Sequence, residues 1–217
     1  MRAMAAYHNI VILTGAGISA ESGLRTFRAE DGLWEDHPVE QVATPEGFRR
    51  DPDLVQRFYD ERRAQVLAAQ PNAAHLALGR LEREWANGTG RELLIVTQNI
   101  DDLHERGGAG RVLHMHGEAL SAWCTNCDAR LPWTGTLRDT PACPACGQAQ
   151  LRPDIVWFGE MPYRMGEIFA AEARRVGART LELNLERSLG SRLFDETRLG
   201  PASELVPEWV TDLLAAS

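Results

Sequence analysis

The sequence predicts an α/β fold, built on a parallel sheet with helices on both faces. Short β-branched runs recur along the whole chain, and helical patterns fill two of the gaps between them. Polar residues follow each run, as they do at the ligand-binding edge of an open parallel sheet. We therefore expect the polar side chains to meet at the carboxyl edge of one sheet. The expected strands are Asn9–Thr14, Glu92–Thr97, Arg111–His114, Asp154–Phe158 and Arg179–Leu183, and the expected helices are Asp53–Ala69 and Asn72–Glu84.

The composition excludes several classes of function. The 217 residues carry a formal net charge of -8, and all 23 basic residues are arginine, so the chain has no Schiff-base or P-loop lysine. The arginines are scattered, so we expect no nucleic-acid partner. No apolar run approaches the ~20 residues of a membrane helix, and the N-terminus lacks a secretory pattern. We therefore expect no membrane contact and a cytoplasmic location.

The four cysteines form one motif, Cys-x2-Cys-x15-Cys-x2-Cys. Two such knuckles in a chain without a secretory signal are typical of a structural zinc site, and four thiolates leave no open coordination position. Two redox pairs or unpaired thiols are the alternative. The expected Zn2+ ligands, in a small zinc-ribbon module inserted at about 120–150, are Cys124, Cys127, Cys143 and Cys146.

The first expected strand ends in a glycine loop. Gly15, Gly17 and Ala20 fit the G-x-G-x-x-G/A pattern, which lets the backbone approach a dinucleotide pyrophosphate. A glycine turn after any buried strand would show the same spacing. The acidic residue that a dehydrogenase places about 20 positions later is not seen, so an ordinary dehydrogenase fits poorly.

Polar motifs also follow the second and third strands. The segment Gln98–Asp101 places two amides and a carboxylate where they could hold ribose hydroxyls and an amide-bearing ring, although a plain polar turn has the same composition. His114 and His116 alternate along an extended segment, so we expect at most one of them to face the crevice. For either histidine, a buried ring satisfied by its neighbours is the alternative.

Five motifs, in this order, resemble the sirtuin family of NAD-dependent protein deacylases. They are Gly-Ala-Gly-Ile-Ser-Ala-Glu-Ser-Gly-Leu-Arg-Thr-Phe-Arg, Gln-Asn-Ile-Asp, His-Met-His-Gly-Glu, the two Cys-x-x-Cys knuckles and Val-Trp-Phe-Gly-Glu. The resemblance runs over about 9–165 and resumes from about 171 to the end. It implies a single catalytic domain over 1–217, with a Rossmann-like part at about 1–35, 86–119 and 151–217, a helical part at about 36–85 and the zinc module.

The resemblance also implies a chemistry and a set of residues. NAD would be consumed as a co-substrate while an acyl group leaves a protein lysine, giving nicotinamide and O-acyl-ADP-ribose, and we expect a monomer. His116 would be the general base, because an imidazole suits proton transfer near neutral pH. Val156 and Phe158 would contact the acylated lysine. The implied cofactor-binding residues are Gly15, Ala16, Gly17, Ser19, Ala20, Thr26, Phe27, Arg28, Gln98, Asn99, Ile100, Asp101, Asn184, Leu185, Glu186 and Ala202.

Tyr59 and Arg62 lie three positions apart, hence on one face of the expected helix. This Tyr-x-x-Arg resembles the signature of sirtuins that remove succinyl and malonyl groups, because a phenol and a guanidinium can bind a carboxylate. The charged neighbours Asp60, Glu61 and Arg63 equally suit a solvated helix face. The resemblance favours the desuccinylase and demalonylase branch, with succinyl, malonyl and acetyl groups as substrates.

One unit of the family pattern is missing after about residue 170. Family members continue through a strand ending in Gly-Thr-Ser and a helix, whereas here Ile-Phe-Ala-Ala, ending at Ala171, leads directly into Glu-Ala-Arg-Arg. Losing a unit of about thirty residues would remove part of the pocket for the phosphates and the adenosine ribose. It would also leave two open sheet edges or force the neighbouring strands to re-pair. A catalytically impaired NAD-binding or interaction protein is therefore the alternative function.

Overall fold

The main parallel sheet has three strands, which place two predicted loops side by side. The computed structural model describes residues 7–25, 33–34, 36–163, 177–187 and 191–216. The strands are β1 (Asn9–Thr14), β4 (Glu92–Thr97) and β5 (Val112–His114), in the order β1-β4-β5. All pairs are parallel, so three predicted strands and their direction are confirmed. Thr14 pairs with Thr97, and the loops after β1 and β4 therefore start next to each other.

A second parallel pair carries the C-terminal polar loop. β9 (Leu181–Asn184) confirms the fifth predicted strand, and it pairs with β10 (Glu196–Leu199), which the sequence did not predict. Within the described ranges, β1 pairs with β4 alone and β9 with β10 alone. Among these residues the parallel strands form two sheets, and the separation matches the open edges expected from the loss of an interior strand. The junction itself, at about 168–175, lies outside the described residues.

Helices cover the sheet and form the helical part. The two predicted helices are confirmed as α4 (Pro52–Ala68) and α5 (Ala73–Leu81), and a π-helical turn over Glu82–Ala86 extends α5. Side-chain oxygens of Asp51 and Asn72 accept backbone amides of their first turns, which fixes where these helices begin. The C-terminal helix α7 (Ala202–Ala215), which the sequence did not predict, packs on α5. The short elements are α1 (Gly17–Ala20), β2 (Leu33–Trp34), β3 (His37–Pro38), α2 (Val39–Val42), α3 (Pro45–Arg50), α6 (Leu103–Arg106) and a 3-10 turn over Ser191–Leu193.

The fourth predicted strand, Asp154–Phe158, is wrong in both extent and partner. The strand found there is β8 (Leu151–Ile155), and it runs antiparallel to β6 (Gly117–Cys124) instead of joining the parallel sheet. β7 (Arg130–Pro132) pairs with the other edge of β6. All of β8 is buried, partly under α4, and a fully buried run has the sequence pattern of a parallel strand. The four-cysteine module thus rests on a three-stranded antiparallel sheet.

The largest hydrophobic cluster lies between α5, α7 and the main sheet. Leu78 and Leu81 from α5, Ile95 from β4 and Val210 from α7 are almost fully buried in it, together with Trp85. This cluster fixes the sheet from one side, so the loops at its carboxyl edge are presented by a packed support. In the described part of the chain, no helix is long and apolar enough to cross a membrane.

Candidate active site

Predicted residues from five separate segments line one cavity of about 580 Å³. The cavity lies at the carboxyl ends of β1 and β4, and α4 and the segment after β8 form its other walls. The sheet edge is where ligands bind in open parallel sheets, so the position agrees with the expectation from the sequence. The predicted residues that line the cavity are Ala16, Ser19, Tyr59, Arg62, Gln98, Asn99, Ile100, Asp101, His116, Val156 and Phe158.

The glycine loop leaves open space next to its backbone. A Cβ atom built on Gly15 or Gly17 would meet no atom within 4 Å, so a ligand can approach the main chain there, as the dinucleotide pattern requires. The buried Ser19 ties this loop to the loop after β4, since the side-chain amide of Asn99 donates to Ser19 Oγ at 2.9 Å. Ala20 follows Ser19 and does not itself line the cavity.

The start of α5 is hydrogen-bonded to the glycine loop, a contact that the sequence did not predict. The Asn72 side-chain amide donates to the Ile18 carbonyl at 2.8 Å and to Ser22 Oγ at 3.1 Å. His75 Nε2 lies 3.4 Å from Ser19 Oγ. Asparagine is a common first residue of a helix, so its presence before α5 indicated a cap and gave no sign of this second role.

Asp101 is a buried carboxylate at the bottom of the cavity. Its Oδ1 accepts the Leu103 backbone amide at 3.2 Å. Burial raises the pKa of Asp101 above its ordinary value, while hydrogen bonds from Ser19 and Leu103 and the charge of His114 act in the opposite direction. A buried carboxyl group that lines a cavity can accept a hydrogen bond from an N–H group of a ligand.

His116 is held in one tautomer. Its Nδ1 lies 3.1 Å from the Gln98 carbonyl oxygen. Because a carbonyl oxygen only accepts, Nδ1 carries the hydrogen and Nε2 keeps its lone pair. Among the described residues no hydrogen-bond partner of Nε2 is found, and His116 lines the cavity. The ring can therefore accept a proton from a bound ligand.

His114 is fully committed to protein partners and does not line the cavity. Its Nδ1 lies 3.0 Å from the Asn99 carbonyl oxygen, and its Nε2 lies 2.9 Å from a Glu105 carboxylate oxygen. Both partners only accept, so both ring nitrogens carry hydrogen and the ring is an imidazolium. Burial alone would lower the pKa of His114, and the Glu105 carboxylate raises it above the ordinary value. The expected alternation along one extended segment is wrong, because β5 ends at His114 and His116 lies in a turn.

Tyr59 and Arg62 form a buried wall of the cavity, which contradicts the solvated-face alternative. Tyr59 is 1% exposed and Arg62 is 6% exposed. The Tyr59 hydroxyl accepts the Trp157 indole N–H at 3.0 Å, and its own O–H can still donate a hydrogen bond. Burial raises the pKa of Tyr59 well above its ordinary value, so the phenol stays protonated. The neighbouring Phe158 is 56% exposed at the cavity rim.

Some of the predicted cofactor-binding residues do not line this cavity or lie outside the described residues. Asn184 ends β9, Leu185 and Glu186 follow it, and Ala202 opens α7; none of these four lines the cavity. Asn184 Oδ1 instead accepts the Leu185 amide at 2.9 Å. The predicted cofactor residues Thr26, Phe27 and Arg28 lie outside the described residues.

Several lining residues carried no motif. Gln65 and Val66 continue the face of α4 that bears Tyr59 and Arg62, and helical spacing could have identified them. Trp34 and Ala43 reach the cavity through packing between distant segments, for which a single sequence offers no signal. Five further lining residues stand within two of the five motifs but were not among the predicted site residues. The lining residues not predicted as site residues are Leu24, Arg25, Trp34, Ala43, Gln65, Val66, Ile155, Trp157, Gly159, Glu160 and Pro162.

The four cysteines form one cluster outside the cavity. All four Sγ atoms lie within 4.8 Å of one another. The Cys124–Cys146 and Cys127–Cys143 sulfur pairs are 3.7 Å and 3.8 Å apart. Four sulfurs at a Zn–S distance of about 2.3 Å around a tetrahedral ion lie about 3.8 Å from each other, whereas disulfide sulfurs are bonded at about 2.05 Å. The donor set and its spacing therefore fit zinc.

Relatives of known name match nearly the whole chain. The NAD-dependent protein deacylase of Vibrio cholerae is 49% identical over 237 aligned positions, which cover 97% of this chain and 95% of that protein. The deacylase of Vibrio parahaemolyticus is 50% identical, with 96% of each chain covered. The Vibrio cholerae alignment is longer than the 217 residues of this chain, so that relative has residues with no counterpart here. This agrees with the missing unit.

Solved structures agree with these relatives. A Sir2 homologue in complex with NAD has a TM-score of 0.85 at 33% identity, with 100% of this chain and 93% of that chain covered. A Sir2 structure bound to an acetylated peptide has a TM-score of 0.75 at 25% identity, covering 95% and 93%. The model of the Sir2 family matches residues 15–177. The chain belongs to the Sir2 family.

Proposed function

We propose that this chain is an NAD-dependent protein-lysine deacylase, which consumes NAD and one water, moves an acyl group from lysine to ADP-ribose, and releases nicotinamide and the free lysine amine. One observation carries the proposal: the glycine loop, the Gln98–Asp101 loop, His116 and the Tyr59–Arg62 wall meet in a single cavity. The names of the Vibrio relatives and the NAD and acetylated-peptide complexes of Sir2 homologues support it. They disfavour the alternative of an impaired interaction protein.

The residues of the sheet edge would hold NAD. The open backbone at Gly15 and Gly17 suits the diphosphate, Gln98 and Asn99 suit the nicotinamide ribose, and the buried Asp101 suits the carboxamide. When bound, NAD supplies the N-glycosidic bond whose cleavage releases nicotinamide. The remaining predicted residues would bind the adenosine half of NAD. They are Thr26, Phe27, Arg28, Asn184, Leu185, Glu186 and Ala202.

His116 would act as the general base. The Gln98 carbonyl fixes the hydrogen on Nδ1, so Nε2 is the atom that takes a proton from a ribose hydroxyl. Once protonated, the ring keeps the same hydrogen bond to Gln98, and no rearrangement is needed. The committed hydrogen bonds of His114 exclude it from this role.

The acyl end of the cavity would accept succinyl, malonyl and acetyl groups. The Arg62 guanidinium can pair with a distal carboxylate and the Tyr59 hydroxyl can donate to it. Val156 and Phe158 would line the entry of the acylated lysine of a protein substrate. An acetyl group lacks the carboxylate but fits the same wall.

The four-cysteine cluster would hold one structural zinc ion. Four thiolates complete its coordination, so the ion would stabilise the antiparallel sheet and take no part in the reaction. We also expect a monomer that acts in the cytoplasm, which sedimentation and cell fractionation would test.

The decisive experiment is direct turnover. The purified protein is incubated with NAD and with succinyl-, malonyl- and acetyl-lysine peptides, and nicotinamide and O-acyl-ADP-ribose are measured by mass spectrometry. Because the chain has no lysine, every acyl-lysine in the assay belongs to the peptide. Formation of both products supports the proposal, whereas NAD binding without either product supports the impaired alternative.

A further inference from the structure

A row of stacked arginine and aromatic side chains leads from the four-cysteine module toward the cavity. Trp123 lies in the central strand β6, directly opposite Arg152 of β8 and Arg130 of β7. The Arg130 guanidinium carbon is 5.0 Å from the Trp123 ring centroid, and that of Arg152 is also 5.0 Å from it. On its other side, Arg152 lies 3.4 Å from the ring centroid of Trp157, which lines the cavity. Guanidinium groups at these distances attract aromatic rings.

The inner half of the row, Arg152 and Trp157, is buried, and the charge of Arg152 is compensated, so this half has one preferred arrangement. Arg152 is 7% exposed and binds the Glu160 carboxylate with both of its terminal nitrogens, at 2.8 Å and 3.1 Å. It also donates to the Ile155 carbonyl at 2.7 Å. Such a two-point pair fixes the plane of the guanidinium as well as its position.

The same carboxylate fixes the backbone of the cavity wall. Glu160 Oε2 accepts the Trp157 backbone amide at 2.8 Å, and the Trp157 indole donates to Tyr59. Trp157 lies between the two residues that would contact the acylated lysine, Val156 and Phe158. Arg152 itself does not line the cavity.

The row begins beside a metal ligand. Cys124 follows Trp123 in β6 and pairs with Leu151, the neighbour of Arg152. An ion bound by the cysteines would therefore fix the register of β6 against β8, and with it the stacking partner of Arg152.

We propose that Arg152 is a positioning residue that transmits the geometry of the four-cysteine module to the acyl-lysine wall. This inference rests on the proposed deacylase function. Loops of the parallel sheet would hold the reacting end of NAD, and among the described residues no hydrogen bond joins the row to residues 15–20 or 98–101. Loss of Arg152 should therefore weaken acyl-peptide recognition and leave NAD recognition unchanged.

The test compares Arg152→Met with Arg152→Lys and with the control Arg138→Met, which replaces an arginine of the four-cysteine module whose exposed pair is with Asp53 of α4. We expect Arg152→Met to raise the peptide KM by roughly ten- to a hundredfold, the effect of a displaced binding group, with the NAD KM within about twofold of wild type. Arg152→Lys should recover only part of the loss, because lysine keeps the charge but neither the planar stack nor the two-point pair. The control should match wild type.

A second measurement does not depend on turnover. Amide hydrogen exchange of the segment 156–160 should accelerate in Arg152→Met, because the Trp157 amide loses its fixed acceptor, while the segment 98–101 keeps its wild-type rate. If Arg152→Met does not fold, Trp123→Leu interrupts the row further from the cavity, and Trp123→Phe retains a ring. Unchanged exchange at 156–160 together with an unchanged peptide KM, or equal increases in both KM values, would overturn the proposal. A wild-type protein without turnover would refute the deacylase function, and the exchange result would still decide the role of Arg152.

Discussion

Replacement of Arg62 by methionine should change which acyl group the enzyme prefers. Arg62 is 6% exposed, so a carboxylate that reaches it meets a charge largely removed from water. A charge-assisted hydrogen bond contributes ~1.5 to 3 kcal/mol, and ~1.4 kcal/mol corresponds to a tenfold change. We therefore expect Arg62→Met to lower kcat/KM for a succinyl-lysine peptide by roughly ten- to a hundredfold and to leave acetyl-lysine turnover nearly unchanged.

The assay measures kcat/KM for succinyl and acetyl peptides of one sequence, at saturating NAD. Arg57→Met is the matched control, because Arg57 is an exposed arginine of the same helix. Tyr59→Phe should have a smaller effect on succinyl turnover than Arg62→Met, and it also leaves the buried Trp157 indole N–H without its acceptor. Equal losses of kcat/KM for the succinyl and acetyl peptides in Arg62→Met would show that the arginine supports the fold and does not bind the succinyl carboxylate.

Four further outcomes are expected. His116→Ala should abolish turnover, a loss on the order of a hundredfold or more, with melting temperature unchanged, and His114→Ala should be much milder; an active His116→Ala together with an inactive His114→Ala would reverse the assignment. The Glu105–His114 pair should stabilise the fold most at pH values between the lowered pKa of Glu105 and the raised pKa of His114. Urea unfolding of wild type and of Glu105→Gln measures this stabilisation as a difference in the free energy of unfolding, which should shrink as pH rises through the pKa of His114. A difference that does not change with pH would disprove the imidazolium. Burial lowers the pKa of His104 to about 4, so as the pH falls the unfolded chain binds a proton before the folded one does. The free energy of unfolding should therefore decrease as pH falls from 6.5 to 4, by up to about 1.4 kcal/mol per pH unit for this group. Urea titrations at several pH values would measure this slope. Cys124→Ser should remove one zinc per chain by elemental analysis and lower the melting temperature, whereas metal-free wild-type protein with unchanged melting would refute the zinc site.

Local patterns predicted the sheet edge, because strands and the loops that follow them are written in consecutive residues. β1 and β4 are runs of branched apolar side chains that end in glycine or in amides, and both appeared where the sequence indicated. β10 has the sequence Glu-Thr-Arg-Leu, whose two charged side chains do not form the apolar, β-branched pattern that predicts a strand. β8 was assigned to the wrong sheet, since burial on both faces gives antiparallel and parallel strands the same pattern.

Residues that line the cavity were predicted where one motif supplied several of them, as in Gln98–Asp101. Its supports were not predicted, because they join residues that are far apart in the chain. The Trp157 indole and the Tyr59 hydroxyl are 98 positions apart, and Ser19 and Asn99 are 80 apart. Such contacts depend on how helices and sheets pack, which the residues of either segment alone do not specify.

The division of the parallel strands into two sheets has a consequence for the rigidity of the site. β4 is hydrogen-bonded on both sides, whereas among the described residues β1 has a strand partner on one side only. Backbone amides without a partner exchange with solvent quickly, and those at the centre of a sheet exchange slowly. β4 should therefore be the last strand to open, and β1 should open more often. The loop Gln98–Asp101 follows β4, the strand that opens less often, and the glycine loop follows β1, the strand that opens more often. The nicotinamide end of a bound NAD would therefore contact a more rigid loop than its diphosphate does.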